Sequence, residues 1–196
     1  MITLGEISKS EAARYMGIRI VPDDMTAELL DKYEEIVRSR LKPAYVFREA
    51  DVEISAEGVH LSGLSVPLTG KSIAKLLQGC DRAVVLAATV SAEADRLIRE
   101  ISVTDMAAAV VTDALCSAAI EQVCDRAEIE IFGDILKEQR TYRFSPGYGD
   151  LPIELQTYLL TYLNAQRRIG LSCTDSYLLT PTKSVTAIIG IKTVRE

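Results

Sequence analysis

The sequence predicts an α+β fold in which an antiparallel or mixed twisted sheet packs against helices. Three observations lead there. Thr104–Ala127 is rich in alanine and repeats its apolar positions at helical spacing, which predicts a long buried helix. Ala83–Val90 and Val185–Ile191 are short apolar, β-branched runs, which predict buried strands. Helical and extended stretches alternate only loosely, so a strict series of parallel βαβ units is not indicated. With no internal repeat, low-complexity stretch or linker, residues 1–196 are read as one domain with a helical N-terminal part, 1–43, and a core, 44–196.

The elements follow in order. Ser8–Tyr15 reads as a short helix, with Ser8 able to cap it and Gly17 to end it. Thr26–Leu41 places Leu29, Leu30, Tyr33, Ile36, Val37 and Leu41 on one helical face, and Pro43 stops it. Ala44–Ser55 alternates as strand, Gly58 turns the chain, and Val59–Leu61 pairs back as a hairpin. Thr69–Leu77 is helical up to Gly79. After the strand Ala83–Val90, Ser91 caps a helix carrying Ala94, Leu97, Ile98 and Ile101. In the long helix, the small side chains of Ala107, Ala108, Ala109, Ala114, Ala118 and Ala119 admit close neighbours. Ile129–Gln139 extends it after a break. Pro152 suits the first turn of a helix over Pro152–Ala165. Arg167–Leu171 leads into extended pieces over Ser172–Leu179.

Composition narrows the partners. The chain has 28 acidic and 22 basic side chains, a net charge of −6, and no Lys/Arg run longer than two. Nucleic acid and anionic membrane both need concentrated positive charge, so neither is expected as a partner. The N-terminus MITLGEISKSEAARYMG lacks an apolar signal core, and the longest weakly polar run, Met106–Val111, is too short to span a bilayer. The protein is expected to be cytoplasmic and to bind no membrane.

Cys80, Cys116, Cys124 and Cys173 form no C-x-x-C pair, and reduced core thiols are the expectation. Cys116 and Cys124, eight residues apart, point inward from one helix face. The lone His60, without clustered cysteines, argues against a zinc site, and a single histidine excludes a Ser-His-Asp triad elsewhere. No catalytic residue and no metal ligand is assigned.

Two loops invite a ligand. LTGKS at 68–72 has Ser65 where a phosphate loop needs its first glycine, so it reads as a helix N-terminus after a turn. RFSPGYGDLP at 143–152 is richer. Gly147 and Gly149 let the backbone approach a ligand, and Pro146 and Pro152 fix its path. Arg143 offers a planar fork for carboxylate or phosphate, and Tyr148 an aromatic face for a purine or cation. By the residues alone, a ligand loop and a rigid structural turn both remain open.

The run R-x-S-P-G-Y-G-D-x-P, followed by Gln156, resembles the signature of the reactivation domain of cobalamin-dependent methionine synthase. Ile169-Gly170, Thr174-Asp175-Ser176, Pro181 and Ser184-Val185-Thr186 are similar to that family's closing pattern. GKSIAKLLQGCDRAVVLAATVSAEADRLIRE resembles the corresponding helix–strand–helix of stand-alone members, so the resemblance covers about residues 60–191. It implies that 44–196 is an activation-domain-like core that binds S-adenosylmethionine. Arg143 would hold the ligand's carboxylate, Ser145 and Gly147 would offer main-chain contacts near the adenine, and Tyr148, beside Gly149, would pack against it. The acidic position on the family's long helix falls on Ser117, with Glu121 one turn on. The family's N-terminal acidic contact has no match, and its strand after Ser-Val-Ser falls beyond Glu196.

The resemblance also implies a chemistry and partners. Methyl transfer from a sulfonium to reduced cobalt needs no general acid or base, so the protein's task is placement. The Asp-x-His-x-x-Gly pattern that holds cobalamin is missing around His60, because Gly58 stands where the aspartate would. Cobalamin is therefore expected on a partner, a cobalamin-bearing methionine synthase core, with a flavodoxin- or ferredoxin-like electron donor. Two alternatives stand beside this: a scaffold or cap for a cobalamin domain that binds no ligand, and a methyl-donor subunit for another corrinoid protein.

Overall fold

A computed structural model describes residues 2–192. The outermost ends of the expected domain, residue 1 and residues 193–196, lie outside the described residues, as does the end of the chain against which the family's further strand was judged.

The sheet is built on β3 (Arg82–Thr89), which is buried at every position after Arg82. A strand covered on both faces reads as a continuous apolar run, which is how AVVLAAT announced itself. β1 (Ala44–Ser55) lies antiparallel to it, pairing Ala44 with Thr89 and Asp51 with Arg82. The far half of β1 pairs instead with β2 (Gly58–Leu61), Val52 opposite Leu61. β6 (Ser184–Ile191) pairs antiparallel along the other side of β3, so the order is β2-β1-β3-β6. Two further strands, β4 (Ser172–Cys173) and β5 (Leu179–Thr180), form a separate small hairpin. All the pairings are antiparallel, one of the two arrangements that the sequence allowed.

Alternation assigns the faces of the sheet. Val46, Ala83, Val85, Ala87 and Ile188 pack against α3 (Lys71–Leu76), α6 (Leu155–Leu163) and α7 (Ala165–Ile169). Val84, Leu86, Ile189 and Ile191 pack beneath α5 (Met106–Phe132) near Ala127 and Phe132. The outer side of α5 carries α1 (Lys9–Tyr15), α2 (Asp24–Arg40) and α4 (Ala92–Ser102), joined through Leu30, Val37, Leu97, Leu115 and Val123. α5 therefore has neighbours on several sides. That explains its alanines: Ala108, Ala109, Ala114, Ala118 and Ala119 are buried, whereas Ala107 lies on the exposed side, contrary to expectation. α5 is also long and apolar enough to cross a membrane, and 67% of its most apolar 18-residue window is buried in the protein. The apolar character runs well past the six residues Met106–Val111, because Asp113 is the single charge between Met106 and Ile120.

Caps set the helix starts as expected. Ser8 accepts from the Glu11 N–H and Ser91 from the Glu93 N–H. α2 begins two residues earlier than its periodicity suggests because Asp23 accepts from the Thr26 N–H at 2.7 Å. Two boundaries differ. α5 has no break after Ala127; nothing there disfavours helix, and it ends only where Gly133 takes φ +49°. The helix expected from Pro152 starts at Leu155 after a turn, and Asn164, in left-handed conformation, divides it from α7.

Cys116 and Cys124 are fully buried on α5, and burial pushes both thiols up to about 12. Thiolate is the reactive form. Native protein at pH 8 is expected to show fast reaction with a disulfide reagent only at the partly exposed Cys173, with Cys116 and Cys124 reacting on unfolding. Rapid labelling of Cys116 in native protein, located by mass spectrometry, would contradict this burial.

Candidate functional site

β6 is an edge strand, and the chain leading into RFSPGYGDLP, together with the motif's first residues, covers part of that edge. Phe144 and Ile188 exchange N–H to C=O bonds of 3.0 and 2.8 Å. Two residues on, Gly190 accepts from the Thr141 N–H at 3.0 Å and donates to Thr141 Oγ1 at 2.8 Å. This pairing sends Phe144 toward the α6 side of the sheet and Arg143 toward α5. On α5, Glu121, Asp125 and Glu128 follow one another on a single face. Arg143 Nη1 donates to Asp125 at 2.9 Å and to Glu128 at 2.8 Å, and Nη2 donates to Glu121 at 2.9 Å. A guanidinium has five N–H donors. Three are used, which leaves Nε–H and one Nη2 N–H without a partner among the described residues.

The rest of the motif is a tight turn. Gly147 donates to the Leu151 carbonyl at 2.9 Å, and Tyr148 to the Ser145 carbonyl at 3.1 Å. The turn is tied to α3 by Asp150, whose two carboxylate oxygens accept from the Lys71 N–H at 2.6 Å and the Ser72 N–H at 2.9 Å. LTGKS is thus a helix start, as read, and the anion on it is the protein's own. A Cβ on Gly149 would stand 2.8 Å from Ser72 Oγ at φ +56°, so glycine is required where the turn meets α3.

Hydrogen bonds from Ser72 and Lys71 hold the Asp150 carboxyl down at about 2. Its folded value lies below the unfolded value of about 3.9, so its stabilisation is complete above that value and is lost as pH falls through about 2. The stability gap between wild type and Asp150→Ala is expected to be constant from pH 7 to about 5 and to shrink between about 4 and 2. Urea unfolding across that range checks it; a gap that stays constant down to pH 2 would refute the clamp.

A second strap runs from β4 to β6. Thr174 and Leu178 close its turn, with Tyr177 at φ +63°. Asp95 on α4 accepts from the Thr182 N–H at 3.1 Å and from the Thr182 hydroxyl. Lys183 Nζ donates to Asp113 and to Ser117 on α5, both at 2.8 Å.

Between the two straps lies an open groove of about 780 Å³. Arg143, Ser145, Tyr148 and Gly149 line it, together with Glu121. Gly147 does not line it; its N–H is spent inside the turn, and it packs on Ile153. Ser117 does not line it either, because Lys183 lies over it. Sequence reasoning assigned no role to Tyr142, Phe144, Gln156 or Tyr177, nor to Thr182 and Ser184–Thr186, which supply most of the remaining wall and floor. Aromatic residues separated by two (Tyr142, Phe144) on an extended segment were the legible signal for the wall. Their rings, with Tyr148, form a chain of centroids 6.3 Å apart at each step. Among the described residues, the groove's charged lining is Glu121 and Arg143.

No protein-family model and no curated protein matches this sequence. Among solved structures, the chain is similar to the MetH reactivation domain bound to AdoHcy, with a TM-score of 0.66 and 17% sequence identity. The match covers 95% of this chain and 67% of that one. At this identity the similarity shows a shared α+β fold.

Proposed function

We propose that this chain is a reactivation module that binds S-adenosylmethionine and presents it to a cobalamin-bearing methionine synthase core. The observation that carries the reading is the groove: two segments more than 30 residues apart, Arg143–Gly149 and Ser184–Thr186, meet in one cleft. Those are the segments that resemble the reactivation signature, and the fold is shared with a domain solved with AdoHcy.

The residues fit such a ligand. A cleft of about 780 Å³ lies within the range of small-molecule sites, roughly 300–1,000 Å³. The two unpartnered N–H groups of Arg143 suit a carboxylate, and Glu121 beside it suits an ammonium. Tyr148, 65% exposed, and Phe144 offer faces for a purine. When bound, S-adenosylmethionine supplies an electrophilic methyl group for the cobalt. The protein's part is orientation: Arg143 fixes one end of the ligand, and the aromatic wall fixes the other. The open side of the groove leaves room for the corrin carried by the partner, and a flavodoxin- or ferredoxin-like protein would supply the electron.

Titration calorimetry with S-adenosylmethionine and S-adenosylhomocysteine is expected to give one site per chain. Adding the protein to an oxidised cobalamin synthase core with reductant is expected to restore turnover only with S-adenosylmethionine present. No binding heat with either nucleotide, by a folded protein, would overturn the proposal.

A further inference from the structure

Gln156 is 4% exposed, yet its side chain borders the groove. It stands in the first turn of α6 among Leu155, Leu159 and Leu160, where a leucine would pack as well. Its Oε1 accepts from Thr186 Oγ1 at 2.9 Å. Among the described residues nothing accepts from its amide nitrogen. The residue is buried but its unpaired amide nitrogen is not sealed in, so those donors are left to whatever occupies the groove. Thr186 is itself 2% exposed, so the pair forms a fixed polar spot on the floor of the groove. β6 adds to it. Because Ile188 turns its N–H and C=O outward to Phe144, strand alternation turns those of Thr186 the same way, beyond the point where the strap covers the edge.

A carboxamide pinned in this way presents a donor beside an acceptor: two N–H groups, and the second lone pair of Oε1. That pair complements the edge of adenine, whose exocyclic amine donates and whose ring nitrogen accepts. The rings of Phe144, Tyr148 and Tyr177 line the same cleft and offer faces against which the base can lie. We infer that Gln156, held by Thr186, reads the adenine base of the bound nucleoside and excludes a 6-oxo purine. The inference rests on the nucleotide-binding reading above and adds the contact that sets base specificity.

The test compares S-adenosylhomocysteine with its deaminated analogue, S-inosylhomocysteine, by calorimetry on wild type, Gln156→Leu and Thr186→Val. Wild type is expected to prefer the adenine nucleoside by about tenfold or more, the scale of one bidentate base contact. Gln156→Leu should bind both equally, and Thr186→Val, which keeps the amide but frees it, should narrow the ratio. A loss of overall stability would not change that ratio. An unchanged ratio in Gln156→Leu, or no preference in wild type, would overturn the inference while leaving nucleotide binding intact. Failure of wild type to bind either compound would overturn both readings.

Discussion

Arg143→Ala is expected to lower affinity for S-adenosylhomocysteine by about a hundredfold or more, since two charge-assisted hydrogen bonds to the ligand carboxylate are lost at roughly 1.5–3 kcal/mol each. The same change removes the shared partner of Glu121, Asp125 and Glu128. Asp125 is largely exposed and Glu128 is not, so only part of that repulsion is screened. About 1–2 kcal/mol of stability should go with it. Arg143→Lys separates the effects. A lysine keeps the charge facing α5 and so most of the stability, but it lacks the fork and should bind ligand nearly as poorly as alanine. Calorimetry and urea unfolding on both variants give the two readings. Unaltered nucleotide affinity in Arg143→Ala would remove Arg143 from the site and leave it a tie between strap and helix.

Gly70→Val should have the largest effect on the scaffold. Gly70 sits at φ +123°, and a Cβ there would lie 2.7 Å from the Asp150 carbonyl oxygen and 3.0 Å from its Oδ1. The obstacle is mainly backbone, so no side chain can swing away. Strain and displacement together should cost about 3 kcal/mol or more. For a chain of this size that lowers Tm by roughly 6–12 °C. Because Asp150 carries the turn that ends in the groove, ligand affinity should fall as well. Gly79→Ala is the control: φ is +77°, but nothing lies within 4 Å, so only the backbone term of about 1 kcal/mol applies and affinity should hold. Equal destabilisation in the two variants would mean that the close approach to Asp150 does not matter.

The sheet was legible because its strands are buried differently. β3 is covered on both faces and β6 on most of both, so each reads as an apolar run. Helix starts were legible where a capping serine, Ser8 or Ser91, precedes an apolar period, whereas the Asp23 cap was read past because the apolar period begins later. The division at Asn164 was not, since asparagine is tolerated within helices and only the packing of α6 and α7 on the sheet decides the bend. The site was half legible. Glycines, prolines and an arginine marked Arg143–Gly149 as either a ligand loop or a rigid turn. The partners of Arg143 were invisible, because Glu121, Asp125 and Glu128 look like the solvated stripe of any helix until a strap is laid beside them. Gln156 was visible as the residue that follows the motif, but its place was not, because it occupies a position where helical periodicity predicts core. Of the two long-helix candidates, Glu121 lines the groove and Ser117 does not, because the Lys183 ammonium bonds Ser117, a contact that no sequence pattern announces.

α5 touches both walls of the groove. Asp113 and Ser117 tether Lys183 from one strap; Glu121, Asp125 and Glu128 tether Arg143 from the other. From 113 to 128 the helix spans about 22 Å, so the same rigid rod sets the spacing of two segments that share no covalent link nearby. Deleting one residue between Ser117 and Glu121 would rotate one tether about 100° out of phase with the other. Each wall would keep its tie to β6 while its tether on α5 lost alignment with the other, so the width of the opening is set by helical pitch as well as by the strand between the walls.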